Sequence, residues 1–167
     1  MFESTQRHGW AVFLIASALV LSGAQSQTPI VDSDFDGYLL GEEWTPTSAV
    51  AEIRPLDGGS FDVRVTMQDS ALDCSELDTS AGTRLTLDHI TWRSLGRYAV
   101  SDAAVEASRI RNGVRTAQPF VEGSFRLRTR TRNPPEGGQT FVLELDLDDV
   151  PTNGNYAQGL VTVRVCP

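Results

Sequence analysis

Residues 125–148 read FRLRTRTRNPPEGGQTFVLELDLD, and this stretch decides the fold. Phe125, Leu127, Thr129 and Thr131 alternate with Arg126, Arg128, Arg130 and Arg132. Beyond Asn133-Pro134-Pro135-Glu136-Gly137-Gly138, Phe141, Leu143, Leu145 and Leu147 alternate with Val142, Glu144, Asp146 and Asp148. Strict alternation on both sides of a Pro/Gly turn marks two half-buried strands of one hairpin. Paired residue numbers with an even sum, about 272 or 274, set the arginines against the acidic face and Phe125 and Leu127 against the leucines. An odd sum loses both matches. The arginine ladder therefore reads as self-neutralised structure rather than a site for an anionic polymer, each exposed pair contributing about 0–1 kcal/mol.

The same period extends outward. Phe61, Val63, Val65 and Met67 alternate with polar residues, as do Val161, Val163 and Val165. Leu85 and Leu87 do so until Ile90 and Trp92 shift parity, which predicts a β-bulge near His89 or a strand that changes sheets. Turn signals separate these runs at Asp57-Gly58-Gly59, Gly82, Asn112-Gly113 and Asn153-Gly154. Residues 101–111 fit either a short helix capped by Ser101 or an irregular strand. The expected class is mostly β: an antiparallel β-sandwich with an N-terminal calcium loop and at most one short helix.

Basic Arg7, the apolar run 10–21 and small residues at Ser22, Gly23, Ala24 and Ser26 form a secretory signal peptide over 1–26, cleaved after Ala24 or Ser26. The run is shorter than the roughly 20 residues that span a bilayer, so no transmembrane segment is expected in the mature chain. Residues 27–46 form the calcium-loop segment and 47–167 the β-sandwich domain. The chain has no Lys and a net charge of −8, which argues against nucleic acid as a partner. Its two cysteines, Cys74 and Cys166, are expected to form one disulfide in an oxidising compartment. The localisation that follows is secreted: periplasmic, cell-surface or extracellular.

Residues 32–43, DSDFDGYLLGEE, carry Asp32, Asp34 and Asp36 in alternation, Gly37 next and Glu43 at the twelfth place. This spacing resembles the EF-hand calcium loop. The resemblance implies side-chain ligands from Asp32, Asp34 and Asp36, a sharp turn at Gly37, the Tyr38 carbonyl as a further ligand and Glu43 as the bidentate closer. The helix that precedes such loops is missing, and Pro46 stops the outgoing segment after about one turn. A lone loop of this kind stiffens a segment on metal rather than opening a sensor.

Ile30-Val31-Asp32, then Gly41-Glu42-Glu43-Trp44, then the strand 61–69 resemble the opening of family-nine-like carbohydrate-binding modules. By that resemblance Trp44 and Trp92 are candidate stacking platforms, with Tyr98 and Tyr156 beside them. The run 154–165 is similar to the last strand of bacterial surface and pilus-like sandwiches. The chain carries neither a Gly-x-Ser-x-Gly elbow nor a phosphate-binding Gly-Lys-Ser/Thr loop. The expectation is a secreted, non-catalytic calcium-binding domain, a cell-surface, matrix or fibre component with structural or adhesive work and other surface-protein subunits as partners. A carbohydrate-binding module, with polysaccharide as partner, is the alternative, and a hydrolase ranks below both.

Overall fold

The computed structural model describes residues 30–93, 96–129 and 131–167; the signal-peptide segment and Arg130 lie outside them. The described residues hold eleven strands: β1 (Asp36–Leu39), β2 (Glu42–Glu43), β3 (Ser48–Pro55), β4 (Phe61–Gln68), β5 (Gly82–Thr91), β6 (Arg97–Ala99), β7 (Ala104–Arg111), β8 (Val114–Pro119), β9 (Gly123–Arg128), β10 (Thr140–Asp149) and β11 (Asn155–Val165). Two single 3₁₀ turns are the helical content of the described residues, so the mostly-β class holds. Among the described residues no helix is long and apolar enough to cross a membrane.

Hydrogen bonding is continuous in the order β6-β9-β10-β11-β3-β4-β5-β7-β8, with β1 on β11 and β2 on β1. Every pairing is antiparallel except the short β11–β3 contact at Arg164↔Val50 and Val165↔Ala51. The sheet curls about that joint. Its two halves bury alternate side chains in one core: Phe125 and Leu127 of β9, Phe141, Leu143, Leu145 and Leu147 of β10, Val161 and Val163 of β11, Val63, Val65 and Met67 of β4, and Leu85, Leu87 and Ile90 of β5.

The 125–148 hairpin pairs Leu143 with Leu127, Leu145 with Phe125 and Glu144 with Arg126, a sum of 270. The parity is the expected one, and the register is displaced by one pleat repeat from the nearer expected sum, 272, and by two from 274. Arg128 Nε reaches diagonally to Glu144 at 2.8 Å, and Arg97 of β6 approaches Asp146 at 3.9 Å. The Arg128 guanidinium holds the Glu144 carboxyl below its ordinary range. Residues 104–111 are strand β7. Val105 and Ala107 face the core there, and that burial overrides the helical propensity of the stretch. Asn112 and Gly113 both have positive φ and close the β7–β8 hairpin as an Asn-Gly turn requires.

A second, smaller core lies on the outer face of β3, β4 and β5. Residues 69–81 fold over it, so that Leu72 and Leu77 cover Val50, with half-buried Cys74 and Cys166 beside them. Thr66, Gln68 and Arg84 point into this layer and are buried. The Arg84 guanidinium donates to the carbonyls of Leu77 and Ser80, and the Gln68 amide donates to the carbonyl of Ala81 at 3.0 Å. Burial pulls the Arg84 guanidinium below its usual range, with Arg115 adding to the effect. The Cys74–Cys166 disulfide, with Cα atoms 5.7 Å apart, ties this cover to the end of β11.

Candidate functional site: the outer face of the N-terminal hairpin and the β5 bulge

The N-terminal segment runs along the edge of β11. The Asp32 amide donates to the Leu160 carbonyl at 3.0 Å, the Thr162 amide donates to the Ile30 carbonyl, and β1 then pairs Asp36 with Gln158 and Tyr38 with Tyr156. Gly159 makes the passage possible: a Cβ there sits 2.8 Å from Phe35 Cα. Of the twelve residues with calcium-loop spacing, 32–35 form a turn and 36–43 form the β1–β2 hairpin. The sharp turn falls at Leu40-Gly41, both with positive φ, not at Gly37. Gly37 lies inside β1, where a Cβ meets the Trp44 carbonyl oxygen at 2.6 Å; the glycine serves close backbone approach.

This register lays the expected ligands across a face. Asp148, Tyr156, Tyr38 and Glu43 form one row over β10, β11, β1 and β2, and Asp146, Gln158 and Asp36 form the next. Asp32 and Asp34 precede them in the exposed turn, where the Ser33 hydroxyl donates to both carboxylates. No three of Asp32, Asp34, Asp36 and Glu43 bring carboxylate oxygens within 4.8 Å of one another, and Tyr38 is flanked by β11 and β2 within the ladder. Among the described residues none of these four carboxylates is paired with an arginine, whereas neighbouring Glu42 receives Arg109 at 2.9 Å and Arg111 at 3.3 Å. The hairpin therefore presents uncompensated negative charge spread over a surface.

Two half-exposed tyrosines stand within that surface. The Tyr38 and Tyr156 rings lie nearly parallel with centroids 6.1 Å apart, and the Tyr156 hydroxyl donates to Asp36 Oδ1 at 3.2 Å. Desolvation, followed by the Asp36 carboxylate, pushes the Tyr156 phenol above its ordinary value. A shallow groove lined by Val31, Asp32, Ser33, Val142, Leu160 and Thr162 continues the same face along β11.

Trp44 and Trp92 do not serve as exposed platforms, because both are buried. Trp44 Nε1 donates to the Thr83 carbonyl at 3.1 Å and packs edge-on to Phe35, and Trp92 Nε1 donates to the Arg132 carbonyl at 3.2 Å and packs edge-on to Phe141. Each indole satisfies its one polar atom with a backbone carbonyl and gives its apolar area to the core. Tyr98 is buried likewise, its hydroxyl donating to the Thr91 carbonyl.

A third grouping was not singled out as a site from the sequence. The ladder β4–β5 slips between Val63↔Ile90 and Val65↔Leu87, so the bulge at Asp88-His89 falls where the parity change put it. Asp62, Asp88 and His89 bring one donor atom each within 4.8 Å of one another. Asp88 and His89 are adjacent in sequence, but Asp62 lies far upstream and reaches them only through the β4–β5 pairing; the broken alternation at His89 is the one local signal. Both cysteines lie in the disulfide, and the described residues hold no free thiol. No protein-family model matches the chain, and no match to it was found among curated proteins or among solved structures.

Proposed function

We propose that the chain is a secreted, non-catalytic β domain that works as a structural or adhesive component at a cell surface, in a matrix or in a fibre, and that its acidic N-terminal hairpin binds calcium. The observation that carries this reading is the set of carboxylates on the hairpin and the turn before it, Asp32, Asp34, Asp36 and Glu43, which among the described residues stand without a basic partner beside Glu42, whose charge is paired. Like charges held on one small surface favour a hard divalent cation with oxygen ligands. The disulfide is compatible with an oxidising, extracytoplasmic setting. The spread of the carboxylates fits weak binding, on the order of 10⁻⁴–10⁻³ M as in extracellular modules. Titration calorimetry with calcium chloride tests this. Saturable heat that falls in Asp32→Ala and in Glu43→Gln is expected. Absence of heat at millimolar calcium, with the melting temperature of Asp32→Ala unchanged, refutes the calcium assignment.

The half-exposed Tyr38–Tyr156 pair and the adjoining groove favour a second reading, a carbohydrate-binding module. Aromatic rings flanked by carboxylates suit a sugar, whose apolar face stacks while its hydroxyls donate. Retention on insoluble polysaccharide that is lost in Tyr156→Ala supports this reading. Concentration-dependent self-association without such retention supports the first.

A further inference from the structure

We propose that Asp62, Asp88 and His89 form a site for a borderline divalent metal ion of the zinc type, separate from the calcium hairpin. In an unbroken strand, consecutive Asp88 and His89 project to opposite faces of the sheet. The bulge ends that alternation. Arg64 of β4 stands opposite both residues, and His89 takes a left-handed backbone with φ of 59°, so its ring nitrogen comes onto the face that carries Asp62 and Asp88. Bulges re-aim side chains in this way, and a non-glycine residue in that region of φ carries a backbone cost.

The donor set selects the ion. One imidazole nitrogen and two carboxylates suit zinc or its first-row neighbours, whereas calcium takes oxygen donors alone. Donor atoms around a tetrahedral zinc lie about 3.3 Å apart for bonds of about 2.0–2.1 Å. The three donors are within 4.8 Å here, His89 is exposed and both aspartates are half-exposed, so rotamer adjustment closes the remainder. Three protein ligands leave a coordination position for water.

Arg64 is shared among three carboxylates, those of Glu52, Asp78 and Asp88. Arg64 is the competitor: it lies 3.7 Å from Asp88 Oδ2, but its shorter bond, 2.6 Å, goes to Asp78. The His89 amide donates to Asp88 Oδ1 at 2.9 Å and fixes that carboxylate beside the ring.

The test uses the full chain purified without a polyhistidine tag and zinc chloride alone. Calorimetry is expected to show one saturable site, weakened roughly tenfold or more in Asp62→Asn and in His89→Gly. Glycine keeps the left-handed backbone while removing the donor. Glu43→Gln is expected to bind zinc as the unaltered protein does, which separates this site from the hairpin. Arg64→Met is expected to tighten binding. Cobalt chloride provides a readout that needs no variant: paramagnetic broadening of the His89 imidazole resonance. No saturable uptake at 1 mM zinc, uptake unchanged in His89→Gly, or a sharp His89 resonance in cobalt each overturns the proposal.

Discussion

Breaking the Cys74–Cys166 bond is the most quantitative perturbation of this fold. The bond joins residues 92 apart in sequence, and the loop-entropy relation assigns such a ring about 4.6 kcal/mol of stabilisation through the unfolded chain. That is a large share of the roughly 5–15 kcal/mol that holds a domain together. The half-buried cysteines also pack with Val50, Leu72 and Leu77, so replacing them by alanine removes contacts as well as the ring. Chemical reduction isolates the ring effect because it leaves the cysteine side chains in place. With a urea m-value of about 2 kcal/mol per M, reduction is expected to lower the unfolding midpoint by about 2.3 M. The Cys74→Ala/Cys166→Ala double variant is expected to fall somewhat further. The assay is urea unfolding followed by tryptophan fluorescence, reporting on buried Trp44 and Trp92. The loop-entropy reasoning is refuted if oxidised and reduced proteins unfold within about 0.5 M of each other at equal m-values.

Gly37→Ala drives a Cβ to within 2.6 Å of the Trp44 carbonyl and is expected to cost about 1–3 kcal/mol, read as a lowered melting temperature; an unchanged melt refutes the close-approach role of Gly37. Asp78 has its pKa lowered, first by the hydrogen bond from Arg64. Its contribution is therefore full above the unfolded carboxyl value, near 3.9, and is lost as pH falls through the folded value. Since Asp78 is largely exposed, the effect is below about 1 kcal/mol, and Arg64→Met should flatten only the acid limb of the stability curve, measured by urea titration from pH 2 to 5. Asp36→Asn should lower the raised pKa of Tyr156 without restoring it fully, because desolvation is the larger cause; NMR titration of the ring resonances checks this.

Much of the fold was legible because the side-chain period of a strand is two. The faces of β9 and β10 followed from alternation, as did the bulge in β5. The absolute register was not, because sliding one strand by two residues leaves the same side chains on the same faces. The displacement from the expected sum to 270 was therefore invisible in the pattern. At the N-terminus, carboxylate spacing suggested a closed loop, but the left-handed Leu40-Gly41 turn and the β11 edge draw the same residues into a hairpin. For Trp44 and Trp92 a module resemblance pointed outward, and area burial with a backbone acceptor for each indole placed them inside. Asp62 joins Asp88 and His89 only through the pairing of β4 with β5, a juxtaposition that no local pattern encodes.

The disulfide also fixes how this fold bears tension. Ile30 is held to Thr162, and Cys166 lies just beyond, so forces applied at residues 30 and 166 pull on neighbouring points at one end of β11. The antiparallel strap then peels from β11 bond by bond, the mode of a zipper, and yields at low force. Lengthening proceeds through residues 30–73 and stops at Cys74, where the load passes across two sulfur atoms and bypasses the chain between them. At about 3.3–3.6 Å per residue the released segment spans roughly 150 Å. A molecule loaded at these two points would release its N-terminal strap first, resist at the core strands β3 and β4, and stop at the covalent bond.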